Sequence, residues 1–186
     1  MRAMTMWVAA VALAWSATAS AVEVGGIRLD EKANVGGQEL VLNGAGVRTR
    51  VFIKVYVASL WLPAKASALS GVLAKGPRRV QMNLLRDLSA DQLVNALVDG
   101  LKDNNSEAEL AAIKAQVDQM VATMKAFNEV KEKDVVALDF VDGATKITLN
   151  GQAKSPFCGD AFRAALLKSW FGPTRVPADL KKAMLG

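Results

Sequence analysis

One stretch of the sequence, residues 41–63 (VLNGAGVRTRVFIKVYVASLWLP), constrains the fold more than any other. From Phe52 to Leu62 it is nearly all apolar and rich in β-branched and aromatic residues, Lys54 is its only charge, and Pro63 ends it. Such a run is typical of a strand that is buried on most of both faces. We expect it to be the most buried strand of the protein.

The residues before this strand predict a turn followed by a cation. Residues 43–46 (NGAG) are expected to form a tight turn, because Asn and Gly adopt the positive φ values that hairpins need. Arg48 and Arg50 are two positions apart, so on a strand they face the same side. We therefore expect a guanidinium at the mouth of the buried strand, and this is the main functional indication in the sequence.

The N-terminal residues predict export. Arg2 precedes a short apolar span, Ala3–Trp15, and a run of small residues follows it. This is the pattern of a secretory signal peptide at residues 1–21, cleaved before Val22. The alternative, an uncleaved anchor, is disfavoured because the apolar span is short for a membrane helix. We expect a periplasmic or secreted protein without a membrane span after cleavage, in which residues 22–186 form one domain.

Charge and rare residue types exclude several classes of function. The net charge is +5, but the basic residues are spread along the chain. We interpret pairs such as Arg78-Arg79 as solvated surface, not as an arm that binds nucleic acid. The chain has no histidine, which excludes histidine-based triads and most zinc sites. Its single cysteine, Cys158, leaves no internal disulfide; a helix N-terminus could activate the thiolate, but we favour a small buried packing residue.

The remaining chain alternates strands and helices. Further strands are predicted at Glu23–Leu29 (a short strand with a glycine turn), Glu39–Leu42, Arg78–Leu85, Val135–Val141 and Ala144–Leu149, the last two joined by a turn at Asp142-Gly143. Helices are predicted from capping boxes at Ser89 and Ser106 (the second running to Phe127), at Phe157–Phe171 and at Ala178–Leu185. The pattern predicts one α+β domain, an antiparallel sheet with helices against one face.

Residues 42–62 resemble the signature of the chalcone isomerase-like family, and are most similar to its bacterial exported branch. The motif NGAGxR followed by FIKVYVASLWL carries the resemblance. Residues 86–89 (RDLS) and 165–172 (ALLKSWFG) fall in the family's order. The resemblance covers essentially the whole chain after the signal peptide. It implies an open-faced sandwich, a large antiparallel sheet under a layer of helices with a ligand cleft between them.

The resemblance also implies where a catalytic site would lie. The family's plant enzymes close a chalcone into a flavanone with an arginine, a threonine, a tyrosine, an asparagine and a late hydroxyl. These positions fall here, in that order, on Arg48, Tyr56, Leu93, Gly100 and Ser169. The polar pair on the first long helix is therefore missing, which weakens the isomerase hypothesis.

Fatty-acid-binding relatives in the same family keep the arginine as a carboxylate clamp above an apolar cavity, and this chain is more similar to them. A planar carboxylate suits an arginine better than a lysine. The resemblance then implies that Leu93 and Leu97 line the ligand's tail. The expected ligand-binding residues are Arg48, Tyr56, Leu93, Leu97, Ser169 and Trp170.

Several alternatives remain open. Arg48 would be structural if it paired with an internal acid such as Asp139 or Asp160, and Tyr56 would be a simple core residue if its hydroxyl had an internal partner. The alternatives to a non-catalytic binder are an isomerase or related lyase, a haem binder, and an interaction module without a pocket. We expect no cofactor, because a haem would need a Tyr, Met or Cys ligand here. We expect a monomer that binds a small apolar or acidic ligand and no nucleic acid.

Overall fold

The structure is a computed structural model that describes residues 21–154, 156–174 and 176–186. The predicted signal peptide lies outside these residues, except for its last position, Ala21. The strands are β1 (Ala21–Val24), β2 (Ile27–Asp30), β3 (Lys32–Val35), β4 (Gln38–Arg50), β5 (Ile53–Leu62), β6 (Arg78–Leu84), β7 (Leu88–Ser89), β8 (Glu129–Val130), β9 (Val135–Val141), β10 (Ala144–Leu149), β11 (Gln152–Ala153) and β12 (Phe157–Cys158). The helices are α1 (Leu69–Leu73), α2 (Ala90–Asn104), α3 (Glu107–Ala112), α4 (Lys114–Lys125), α5 (Asp160–Phe171) and α6 (Ala178–Leu185).

One large antiparallel sheet organises the described residues. Its strand order is β11-β10-β9-β6-β5-β4-β3, and β12 pairs with β10. The main hydrophobic core lies between one face of this sheet and helices α1, α2, α4, α5 and α6. This confirms the predicted α+β class, a large antiparallel sheet with helices on one face.

The other face of β5 is covered by the β1–β2 hairpin. Val57 and Trp61 join Leu29 in a second apolar cluster on that side. The Trp61 indole nitrogen donates to the Asp30 carbonyl oxygen at 3.3 Å. Every residue of the segment 56–62 is therefore buried, as the apolar run predicts.

The predicted tight turn at residues 43–46 is wrong, because these residues continue strand β4. The strand runs unbroken from Gln38 to Arg50 and pairs with β5 through a register shift near Gly44. Helix α6 lies so close to the strand there that a Cβ added at Gly46 would be 2.9 Å from the Ala183 Cβ. The glycines therefore serve close packing of a helix on the sheet, not a turn.

The turn that joins β4 to β5 lies instead at Val51 and Phe52. Both residues have positive φ, 47° and 64°, and Arg50 pairs with Ile53 across the turn. Valine and phenylalanine are not turn-forming residues, so the sequence carried no signal for it.

The helices follow their predicted starts but not all of their predicted lengths. Both capping boxes are formed, at Ser89 and at Ser106. The second predicted helix is interrupted at Ile113, which has φ −113° and is only 2% exposed, so that α3 and α4 are separate. The break allows Ile113 to enter the core.

The third predicted helix starts later than expected. Residues 157–158 form β12, and Gly159, with φ 133°, precedes the first residue of α5. Cys158 is exposed, so its prediction as a buried packing residue is wrong. Its side chain lies on a short edge strand, outside the core.

The interpretation of Arg78-Arg79 as solvated surface is also wrong. Arg78 is 1% exposed, and its guanidinium donates to the carbonyl oxygens of Ala74 and Gly76. Burial, and then the nearby charge of Arg163, lower the pKa of Arg78 to about 10. Arg79 forms a two-point ion pair with Asp139, at 2.6 and 2.8 Å. Arg78 therefore stabilises the loop before β6, and Arg79 stabilises the pairing of β6 with β9.

Candidate functional site

A cavity of about 470 Å³ lies between the strands and the helical layer, at the end of the sheet that holds the β4–β5 turn. Strands β4, β5 and β6 form its floor, and α2 and α5 form its roof. Its size falls within the roughly 300–1,000 Å³ typical of small-molecule sites. A cleft between the sheet and the helices, which the family resemblance implies, is therefore present.

The cavity brings together side chains that are far apart in the sequence. All six residues expected to bind a ligand line it, namely Arg48, Tyr56, Leu93, Leu97, Ser169 and Trp170. Two of these come from the central strand pair, two from the inner face of α2 and two from the last turn of α5. The fold therefore gathers the predicted set at one place.

The inner part of the cavity combines apolar walls with a few hydroxyl and indole groups. Burial raises the pKa of the Tyr56 phenol, and the charge of Arg48 and a hydrogen bond from the Trp170 side chain oppose this in part. The Ser169 hydroxyl oxygen is buried but has no hydrogen-bond partner among the described residues. An unpaired buried hydroxyl is costly, so a ligand atom that bonds Ser169 would be favoured.

Arg48 lies between this inner part and the mouth. It is partly buried and stands opposite Tyr56 in the β4–β5 register. Within the described chain no carboxylate lies within salt-bridge distance of it. The two acids considered as structural partners are engaged elsewhere, Asp139 with Arg79 at 2.6 Å and Asp160 with Arg163 at 3.3 Å. The alternative of an internal ion pair with either acid is therefore wrong.

The mouth also holds charged residues outside the expected ligand-binding set. Arg50 and Arg86 lie on the strand side, and Asp99 and Asp103 lie on α2. The sequence predicts that Arg50 faces the same side as Arg48, but nothing local in the sequence predicts that Arg86 lines the same mouth. Only the β5–β6 pairing, in which Tyr56 opposes Leu84, brings the residues after β6 to this mouth.

The residue types offer little for a metal. No group of three His, Cys, Asp or Glu side chains that could hold an ion occurs in the described parts of the chain. Of the side chains that could bind a haem iron without histidine, Tyr56 and Met82 line the cavity, whereas Cys158 does not. No helix in residues 21–154, 156–174 and 176–186 is long and apolar enough to cross a membrane.

Comparison with known proteins identifies the fold family. The sequence model of the chalcone isomerase-like family matches residues 21–186. The chain belongs to the chalcone isomerase-like family. No curated protein sequence matches it.

A solved structure gives this chalcone isomerase-like chain a structural counterpart. A fatty-acid-binding protein of Arabidopsis thaliana superposes with a TM-score of 0.68 at 10% identity. The match covers 89% of this chain and 96% of the plant protein. At this identity the similarity shows a shared fold.

Within the family, the polar pair of the plant enzymes would stand at Leu93 and Gly100, and the structure shows why neither is polar here. Leu93 is 2% exposed and belongs to the main core. A Cβ at Gly100 would lie 2.9 Å from the Ser169 Cβ, because α2 and α5 touch at this point. A side chain at Gly100 would therefore require the Ser169 side chain or α5 to shift.

Proposed function

We propose that this protein is an exported, non-catalytic binder of an apolar acid such as a fatty acid, of the family's bacterial exported branch, and that Arg48 anchors the acid. The observation that carries the proposal is the position of Arg48 at an apolar cavity without a carboxylate partner in the described chain. Arg48 is partly buried, and its guanidinium offers two parallel donors that the carboxylate of an anionic ligand would satisfy.

The other cavity residues fit the two ends of such a ligand. Tyr56 and Ser169 line the same cavity as Arg48 and offer hydroxyl groups to a carboxylate head, while Leu93 and Leu97 offer an apolar wall to a tail. Burial keeps the Tyr56 phenol protonated, because it raises its pKa, so the group remains a donor at neutral pH. The plant protein that shares this fold is a fatty-acid-binding protein, which supports the assignment.

Isothermal titration calorimetry with a long-chain acid and its methyl ester tests the proposal. A hydrogen bond to a charged partner contributes about 1.5–3 kcal/mol. At about 1.4 kcal/mol per decade, Arg48→Ala should weaken acid binding roughly tenfold or more and leave ester binding nearly unchanged. Arg28→Ala, at an exposed position of β2, is the matched control. Equal losses for the acid and the ester would show that Arg48 is not an anchor.

Three further measurements bear on the alternatives. We expect no chalcone cyclisation above background, because loss of even one transition-state donor costs about 10²–10³ in rate and two are missing. We expect no haem absorbance in the purified protein.

Export predicts a mature N-terminus at or near Val22, which N-terminal sequencing of exported material would show. An intact Met1 in a membrane fraction would contradict it.

A further inference from the structure

The turn between β4 and β5 has a conformation that suits its residues poorly. Val51 and Phe52 both have positive φ, which a β-branched or bulky side chain rarely adopts. The β9–β10 turn has the same geometry, with φ of 51° and 74°, but uses Asp142 and Gly143, which favour it. An Asp-Gly pair would stabilise the β4–β5 turn better than Val51 and Phe52 do. The stability of the fold therefore does not explain why Val51 and Phe52 occupy this turn.

These side chains are also exposed to solvent. Val51 is 79% exposed, Phe52 98% and Ile53 51%. Among the described residues the one other exposed large apolar side chain is Val22, at 39%. We call Val51, Phe52 and Ile53 the apolar tip. Exposed apolar residues concentrated at one place mark an interaction site.

Cations flank the apolar tip on the strand side. Arg50 and Lys54 adjoin it in the sequence, and both are exposed. Arg86 lines the mouth together with Val51 and Ile53, whereas the acids of the mouth, Asp99 and Asp103, lie on α2. None of these three cations forms an ion pair with a described residue. An apolar projection flanked by positive charge is complementary to an anionic lipid surface.

We propose that the apolar tip docks the protein on an anionic lipid bilayer, with Phe52 inserted at the boundary between headgroups and acyl chains and with Arg50, Lys54 and Arg86 against the headgroups. Docking in this way turns the cavity mouth toward the lipid, because Val51 and Ile53 belong to both. An apolar acid then passes between bilayer and cavity without crossing water. That consequence rests on the proposed function, whereas the docking itself does not require a ligand.

Hydrogen exchange of the full chain with vesicles locates the contact. With vesicles of equal parts phosphatidylglycerol and phosphatidylcholine, the peptide that contains the apolar tip should become protected. The Asp142-Gly143 turn is an internal control of the same geometry at the opposite end of the sheet, and it should exchange as before. Pure phosphatidylcholine should give little protection. No protection of the tip, or equal protection by both vesicle types, would overturn the proposal.

Variants distinguish docking from a structural role. Val51→Asn with Phe52→Gly gives a favourable turn, so the melting temperature should rise by a few degrees while vesicle binding falls at least tenfold. Arg50→Gln with Lys54→Gln should weaken binding by about twenty-five-fold, since each charge contributes about fivefold. Val22→Ser and Lys146→Gln are controls at other surfaces and should bind normally. Every variant keeps residues 1–21, so membrane binding by that segment is common to all. Wild-type vesicle binding by the turn variant would overturn the proposal.

Discussion

Arg48 on β4 and Tyr56 on β5 stand opposite each other in the strand register, and the charge of Arg48 lowers the pKa that burial of Tyr56 raises. The two side chains therefore act on each other electrostatically before any ligand is present. Their partnership follows from one cross-strand pairing of the central strands. It places a permanent cation and a neutral hydroxyl side by side at an apolar cavity.

Arg48→Lys should recover only part of the acid affinity that Arg48→Ala loses. An ammonium keeps the charge but cannot make the two parallel hydrogen bonds of a guanidinium to a carboxylate. Titration calorimetry of the three proteins with one long-chain acid should give the order Arg, Lys, Ala. Equal affinity of the Lys variant and the wild type would mean that the charge alone is recognised.

Gly100→Ala should destabilise the protein, although alanine is the better helix former by about 1 kcal/mol. The added methyl would lie 2.9 Å from the Ser169 Cβ, and overpacking of this kind costs about 1–3 kcal/mol. Urea denaturation measures the difference. An increase in the free energy of unfolding would show that α2 and α5 separate easily at this point.

Asn43→Ala should lower the free energy of unfolding by at least ~2 kcal/mol. The Asn43 amide donates to the carbonyl oxygens of Met184 at 2.8 Å and Ala66 at 3.0 Å, and accepts from the Ala66 backbone nitrogen at 2.7 Å. Loss of this side chain leaves three partly buried backbone groups without partners, each worth about 1 kcal/mol or more. Asn34→Ala, on the exposed side of β3, is the control and should change stability little.

Glu109 should contribute stability at neutral pH that is lost in acid. A hydrogen bond from Lys168, and then bonds from the Ser106 backbone and side chain, lower the pKa of Glu109 to about 2 from its ordinary value of 4.5. Because the folded-state pKa is depressed, the contribution is fully present above pH 4.5 and fades as the pH falls toward 2.

Urea denaturation across that pH range, with the wild type and Glu109→Gln, measures this contribution. The gap between their free energies of unfolding should narrow as the pH falls. Glu107→Gln, at an exposed position on the same helix, is the control and should have a small effect throughout. A gap that stays constant with pH would mean that the Glu109 carboxylate is not the source of the stability.

The sequence determined the elements whose signals are local. The capping boxes at Ser89 and Ser106, the Asp142-Gly143 turn and the bounds of β9, β10 and α6 all follow from neighbouring residues, and all are confirmed. A cap or a two-residue turn is stabilised by bonds within a few positions, so the pattern needs no knowledge of the rest of the fold. The family resemblance placed Arg48 and Ser169 in one cleft, which local patterns alone did not.

Tertiary contacts decided the rest. Residues 43–46 form a strand because α6 packs against their glycines, Val51 and Phe52 turn because β4 and β5 pair around them, and Arg78 is buried because the loop before β6 folds over it. Cys158 is exposed because β12 lies at an edge. The strand at residues 43–46 depends on α6, which is distant in the chain, and the stabilisation from such a contact cannot be read from neighbouring residues. The bonds of Arg78 to Ala74 and Gly76 are local in the sequence, but they form only because the loop before β6 folds back on itself.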